Sequence, residues 1–320
     1  MTATEAERPP SDVAGEPESF DLRAVMRAGL GKRPVRQVPL PPMPSVRAGE
    51  PLVLPREPEV PPLADLTGRR KLLIVCGPQN AGKTLDMRML ASELREAGML
   101  SRAVFAAVDH GPRTLARFVH VEQPETTSQE DSLRFIRDAH DFMAHGGDER
   151  PQVFVLDCGG NNTALPAAVA ANPGFVGDLE AAGVAAVLGY YWVPRVGDLT
   201  LLEQHADIGL VSPHTMLVMN LAKSGRGLES FEVMRAQEPW RRRVLAGAAE
   251  LVLPALAEEW SQEVENLGLP FWAARDGMMS QGTGADPLSA DPLSVAGRVA
   301  VGEWMAKWRQ ARAPVRSWLT

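Results

Sequence analysis

The sequence predicts a three-layer α/β fold around a mainly parallel β-sheet. Three features predict it. Short apolar runs alternate with amphipathic segments from Lys71 onward, a glycine-rich turn joins the first run to the first amphipathic segment, and the stretch before them lacks this pattern. The expected strands are Leu72 to Cys76, Ala103 to Val108, Val153 to Leu156, Val184 to Tyr190, Met216 to Met219 and Glu250 to Leu253. Their near-continuous apolar character is that of strands covered on both faces. Helices are expected at Lys83 to Ala97, Gln129 to His145, Phe175 to Ala182, Asp198 to His205, Trp240 to Ala246, Glu258 to Leu267 and Ser294 to Arg312. The Gly-, Ser-, Asp- and Pro-rich stretch Asp276 to Leu293 reads as a loop.

Residues 1–68 are expected to form a disordered, proline-rich N-terminal arm, and residues 69–320 the folded domain. Thirteen of the 27 prolines fall in the first 70 residues, and such runs favour extended polyproline conformations over helix. One segment interrupts the arm: Phe20, Leu22, Val25, Met26 and Leu30 recur at near-helical spacing before Gly31. Residues 20–30 are thus either a transient helix or a short docking helix that folds on a protein partner.

Composition narrows the function classes. A hydrophobic content of 45% suits a globular core, and no stretch approaches the roughly 18 apolar residues of a membrane span. With a polar N-terminus and only Cys76 and Cys158, the expected location is the cytoplasm. Residues 1–70 carry ten acidic and ten basic side chains, so the net charge of -7 resides in residues 71–320. That balance does not support a general attraction to DNA. Arg241, Arg242, Arg243, Lys307, Arg309, Arg312 and Arg316 are local basic candidates, and Trp304, Trp308 and Trp318 are expected to pack the last helix onto the sheet.

The segment LLIVCGPQNAGKT fits G-x-x-x-x-G-K-[ST] through Gly77, Gly82, Lys83 and Thr84, after a strand and before a helix. Glycines let such a loop wrap phosphate oxygens with backbone N–H groups, and the helix adds its positive end. This predicts a P-loop NTPase. Lys83 would contact the β- and γ-phosphates and Thr84 would hold Mg²⁺, with Asn80, Ala81 and Leu85 completing the loop. Asp157 ends the apolar run PQVFVLD and is the expected acidic partner of the metal, with Gly159 and Gly160 after it. Asp109, ending RAVFAAVD, is placed for a switch loop that meets the phosphates and the metal. If the two strands are neighbours, Cys76 and Cys158 lie close together beside the phosphate site.

These motifs and their order resemble the ParA/MinD-like ATPases, in particular divergent members associated with plasmid partition and conjugal transfer. The likeness is carried by GPQNAGKT, VDHGPRTLARF, LDCGGNNTALPAAVAANP and VMNLAKSGRGLESFE, over most of residues 71–320. The resemblance implies ATP with Mg²⁺, a nucleotide-sandwich homodimer and a cargo-positioning task, and the chain's departures from the family imply slow or partner-dependent hydrolysis. It also implies that Asn220, at the end of a late strand, holds the adenine, although by sequence alone Asn220 fits a turn equally well. Two positions depart from the family. Many relatives carry an additional lysine early in the loop where this chain has Pro78, Gln79 and Asn80, and a second aspartate where it has Gly111. The alternative is a regulatory subunit that holds nucleotide with little or no turnover.

Overall fold

Apolar side chains alternate between the two faces of the central strands, and a helical layer covers each face. This is shown by a computed structural model of the 320-residue chain, which describes residues 60–108, 115–160, 162–278 and 293–320. The Phe20 to Leu30 stripe, Asp109 to Gly111 and residues 279–292 lie outside the described residues. Seven strands make one parallel sheet in the order β3-β2-β4-β1-β5-β6-β7. They are β1 (Arg70–Cys76), β2 (Ala103–Ala107), β3 (Val121–Glu122), β4 (Val153–Asp157), β5 (Val184–Trp192), β6 (His214–Asn220) and β7 (Ala249–Leu253).

The helices are α1 (Lys83–Glu96), α2 (Gln129–His145), α3 (Ala164–Ala171), α4 (Phe175–Ala181), α5 (Thr200–Asp207) and α6 (Glu232–Arg235). They continue with α7 (Glu238–Leu245), α8 (Glu258–Asn266), α9 (Phe271–Arg275), α10 (Val295–Arg312) and α11 (Arg316–Leu319). On one face, Leu73 and Val75 of β1 join Met87, Leu90 and Leu94 of α1, Val264 of α8, Phe271 of α9 and Trp304 and Met305 of α10. On the other, Leu72 and Ile74 meet Ile136 and Met143 of α2, Leu165 of α3, Leu179 of α4 and Trp240 of α7. Alternation at a period of two, with both sets buried, makes the runs look uniformly apolar in sequence.

The expected strands are all present, and most helix boundaries fall within two residues of expectation. The start of α2 is set by Ser128, whose hydroxyl accepts the Asp131 N–H at 3.0 Å, and that of α10 by Ser294, which accepts from Gly297 at 3.1 Å. The two-residue β3 and the short α3, α6, α9 and α11 were not expected. Each is too brief to display a period, and α3 (ALPAAVAA) is apolar nearly all round. Folded contacts also reach further upstream than residue 69. Leu66 is buried, its N–H donates to Ser317 Oγ at 3.1 Å, and Trp318 Nε1 donates to the Ala64 carbonyl at 2.7 Å.

A buried charge cluster joins the C-terminal helix to the sheet. Asp86, on α1, accepts both Nη2 contacts of Arg312 at 2.8 and 2.9 Å, together with the Tyr191 hydroxyl and Trp308 Nε1. Arg312 also donates to the Val252 carbonyl of β7 at 3.0 Å. A buried ion pair is held by its full set of hydrogen bonds, and removing one partner leaves the other's charge unsolvated. Asp86→Ala is therefore expected to lower stability by about 3–5 kcal/mol, checked as a fall in the urea midpoint.

A second buried contact makes stability depend on pH. His205 Nδ1 lies 2.9 Å from the Tyr190 hydroxyl, and burial, aided by the nearby positive Arg243, pushes its pKa down to about 4. Because the folded pKa lies below the unfolded value, this contribution is complete above pH about 6.5 and is lost as pH falls toward 4. Urea titrations of wild type and His205→Gln across this window should differ by about 3 kcal/mol in the acid-dependent loss.

Candidate functional site

Position 77 must be glycine for steric reasons. Gly77 leaves β1 with φ of 132°, and a Cβ there would overlap the backbone carbonyl oxygen of Tyr191 on the neighbouring strand β5. The loop then passes through Asn80 at φ 59° and Gly82 at φ 94°, both left-handed. A Cβ on Gly82 would lie 2.6 Å from Asn220 Nδ2 and 2.6 Å from a Leu253 methyl. Helix α1 starts directly after Gly82, which has no side chain to cap it. Its first-turn N–H groups therefore face the loop, the arrangement that favours an anion.

Lys83 is folded into this turn and only 7% exposed; its Nζ donates to the Gly77 and Pro78 carbonyls at 2.8 Å each. The ammonium thus sits within the concavity of the loop. Thr84 and Leu85 follow, half-buried, at the mouth of a cavity of about 620 Å³ that residues 80–85 line on one side. Asn220 to Lys223, after β6, line another side, and Glu258, Ser261, Gln262 and Glu265 of α8 close it. A cavity of about 740 Å³ around Lys71 and Arg316 opens at the opposite, amino-terminal ends of the strands. Ligands of open parallel sheets bind at the carboxyl ends of the strands, so the smaller cavity is the candidate site.

Asp157 reaches the loop through strand order. β4 is the direct neighbour of β1, with Asp157 in register with Val75, two residues before Gly77. One Asp157 oxygen accepts the Gly159 N–H at 3.0 Å, which tightens the turn after the strand. A Cβ on the next residue, Gly160, would lie 2.7 Å from the Gln79 backbone nitrogen, so the turn after β4 and the phosphate loop are packed together. The same adjacency brings Cys158 to Cys76 as expected. A hydrogen bond to Cys76 together with burial pushes the Cys158 thiol well above the usual thiol range, which keeps it protonated.

Asn220 has a different geometry from a free base-binding amide. It is 2% exposed, its Nδ2 donates to the Ala81 carbonyl at 3.0 Å, and its Oδ1 accepts the Ala222 N–H at 2.9 Å. In this structure Asn220 is a brace between the end of β6 and the phosphate loop. Asp109 lies outside the described residues.

Of the basic candidates, Arg241, Lys307 and Arg316 are exposed, and the others are engaged. Arg312 is committed to Asp86, Arg309 pairs with Glu93 and Glu96, Arg243 is buried with Nη2 on the Leu202 carbonyl, and Arg242 meets Glu238. Trp304, Trp308 and Trp318 are buried at 1–3% exposure and pack the C-terminal helices as expected. Sequence reading missed three participants: Tyr191, Asp86 and Arg88. Asp86 and Arg88 sit three and five residues after Lys83, but nothing in a run such as KTLDMRML distinguishes a buried charge from a solvated one.

The residues present fit a nucleotide with Mg²⁺. The loop is a cradle that Cβ atoms at 77 or 82 would fill, with an ammonium inside it and a hydroxyl and a carboxylate on adjoining elements. Among the described residues no group of three or more His, Cys, Asp or Glu side chains could hold a metal, and no helix is long and apolar enough to cross a membrane.

No protein-family model and no curated protein matches the sequence. Among solved structures, the chain is similar to FlhF complexed with GTP/Mg²⁺ at 14% identity, covering 61% of this chain and 70% of that one with a TM-score of 0.34. FlhF complexed with GMPPNP/Mg²⁺ follows at 15% identity, 58% and 67% coverage and a TM-score of 0.34. The signal recognition particle receptor FtsY from Elizabethkingia anophelis has 13% identity, 77% and 68% coverage and a TM-score of 0.35. The fold assignment rests on the chain itself: a parallel α/β sheet of the P-loop NTPase type, with the phosphate loop between β1 and α1 and an acidic residue ending the adjacent strand β4.

Proposed function

We propose that this chain is a nucleoside triphosphate-binding switch of the ParA/MinD type, which binds ATP with Mg²⁺ and positions or partitions a cargo such as a plasmid or a transfer complex. The observation that carries the reading is Lys83, held inside a left-handed glycine turn at the start of α1, with Asp157 on the strand next to the one that feeds the turn. In this reading the N–H groups of the loop and Lys83 bind the β- and γ-phosphates, and Thr84 and Asp157 hold the metal, directly and through its water shell. The metal supplies charge neutralisation of the phosphate oxygens when bound. Asp109 is assigned to the switch loop on its position after β2. Asn220 braces the loop and borders the base end of the cavity.

The packing of Gly160 against Gln79 gives the switch its route. A displacement of the turn after Asp157 passes to the phosphate loop, because Gly160 packs directly against the side chain and backbone of Gln79. The cargo-positioning task and a homodimer rest on the family resemblance, a cytoplasmic location on composition and cysteine usage, and recruitment by a protein partner on the apolar stripe of Phe20, Leu22, Val25, Met26 and Leu30.

A second reading, a regulatory subunit that holds nucleotide with little turnover, is favoured by the neutral Pro78, Gln79 and Asn80 where relatives carry a further lysine. Both readings require nucleotide binding at the same loop. Calorimetric titration with MgATP and MgGTP should therefore show binding to wild type and loss of at least about 100-fold in Lys83→Ala, equivalent to about 2.7 kcal/mol, with an unchanged urea midpoint. Equal affinity in the folded variant would overturn both. Phosphate release from the wild-type protein then separates them.

A further inference from the structure

The cavity beside the phosphate loop is lined by a second cation. Arg88, on α1 one turn beyond Thr84, is 5% exposed, and neither its Nε nor its Nη2 has a hydrogen-bond partner among the described residues. We propose that Arg88 is a phosphate-contacting residue, which turns these two donors into the cavity to bind two oxygens of the bound nucleotide's phosphates. The proposal rests on the reading of the loop as a nucleoside triphosphate site.

Four observations carry it. First, a guanidinium buried for packing alone would be expected to find acceptors. Arg312 places both Nη atoms on acceptors and leaves only Nε without one, and Arg150 reaches the Gly147 and Met143 carbonyls. Arg88 instead lies with its flat face against aromatic rings, 3.6 Å from the Phe118 centroid and 4.7 Å from that of Phe271. Second, Nε–H and the Nη2–H beside it point the same way, forming one two-pronged edge that matches paired phosphate oxygens.

Third, helix geometry directs the side chain. Side chains of an α-helix lean over the preceding turn, toward its N-terminus, and for Arg88 that turn carries Thr84. Turning into the cavity breaks no hydrogen bond and loses only the aromatic contacts, about 0.5–2 kcal/mol. Fourth, the loop is otherwise short of charge. Lys83 is the loop's own cation, residues 78–80 are neutral, and Lys223, the remaining cation lining the cavity, is exposed beyond Asn220. Burial lowers the Arg88 pKa to about 10, opposed by the Glu265 carboxylate, so the group is positively charged at neutral pH. No ion pair joins it to Glu265 among the described residues.

A contact made to the terminal phosphates favours triphosphate over diphosphate. The test is calorimetric titration of the full-length protein with MgATP and MgADP, for wild type, R88M and R88K, with urea midpoints measured alongside. Methionine keeps an unbranched stem between the two rings. R88M is expected to weaken ATP binding about 10- to 100-fold, the range of a charge-assisted hydrogen-bonding pair, and ADP binding several-fold less. R88K should not restore the ratio, because an ammonium lacks the fork. A folded R88M that keeps both affinities and their ratio overturns the proposal. So does a parallel loss of both affinities that follows a lowered midpoint and is rescued by R88K, which marks a packing role. A wild-type protein that binds neither nucleotide nor its guanine counterparts overturns the phosphate-loop reading itself, an outcome distinct from an effect missing only in the variant.

Discussion

The charge at Asp86 constrains the rest of the structure around the loop between β1 and α1. It lies one turn into α1, where three donors from two other elements make four contacts to its two oxygens: Arg312 and Trp308 from α10, and Tyr191 from β5. A buried carboxylate without these donors would be far more costly than the ion pair itself, so α1 has one rotational setting relative to the sheet. That setting fixes Lys83 and Thr84, because they belong to the preceding turn of the same rigid helix. Tyr191 ties the arrangement off twice, through its hydroxyl on Asp86 and through its backbone against Gly77. Burial and the Asp86 charge push the Tyr191 hydroxyl well above the usual phenol range, which keeps it a donor.

The other end of the loop is held by shape and by amide chemistry. Asn220 spans from β6 to the Ala81 carbonyl, while Leu253 and Asn220 fill the space that a side chain at position 82 would need. The C-terminal ends of β5, β6 and β7 thus each contribute a contact, through Tyr191, Asn220 and Leu253. A phosphate loop built this way is pre-organised: its shape is set by the scaffold before a ligand arrives, so ordering it does not draw on binding energy. The turn after Asp157 approaches from the opposite side, through β4, with two glycines and no bulky side chain to resist movement.

Much of this was legible in the sequence, for reasons that differ by element. The strands were visible because burial on both faces leaves runs such as KLLIVC and VFVLD with few polar interruptions. The loop was visible because phosphate wrapping demands glycine at fixed spacing, and Gly77 and Gly82 do hold conformations or contacts that exclude a Cβ. The adjacency of β1 and β4, which makes Cys76 and Cys158 neighbours and aims Asp157 at the loop, was expected only conditionally, since strand order is a property of chain crossings and not of local pattern. What could not be read was the destination of charge. Arg309, Arg312 and Arg316 follow one another in a basic segment, yet Arg312 is buried in an ion pair, Arg309 bridges two glutamates and Arg316 is exposed. Asn220 shows the same limit: its place at a strand end was evident, whereas the acceptor it would choose depended on a loop 139 positions away.

The fate of the arginines is also what separates scaffold from site. A buried guanidinium is stabilised in a fold when most of its donors are spent on acceptors, as Arg312 spends both Nη atoms on Asp86 and Val252, with Nε alone left over, and Arg243 spends Nη2 on Leu202. Arg88 departs from that rule while lying in the same layer and on the same helix as Asp86. Aromatic faces at Phe118 and Phe271 offset part of the cost of burying its charge but leave its hydrogen-bonding edge unanswered. Glu265, the carboxylate that raises its pKa, comes from α8 on the far wall of the cavity and not from the helix that carries it. An edge left open in this way is unfavourable for the fold alone, and becomes favourable only where a ligand brings acceptors. Its location on the wall of the cavity shared with Lys83 and Thr84 is where the phosphates of the proposed nucleotide would supply such acceptors.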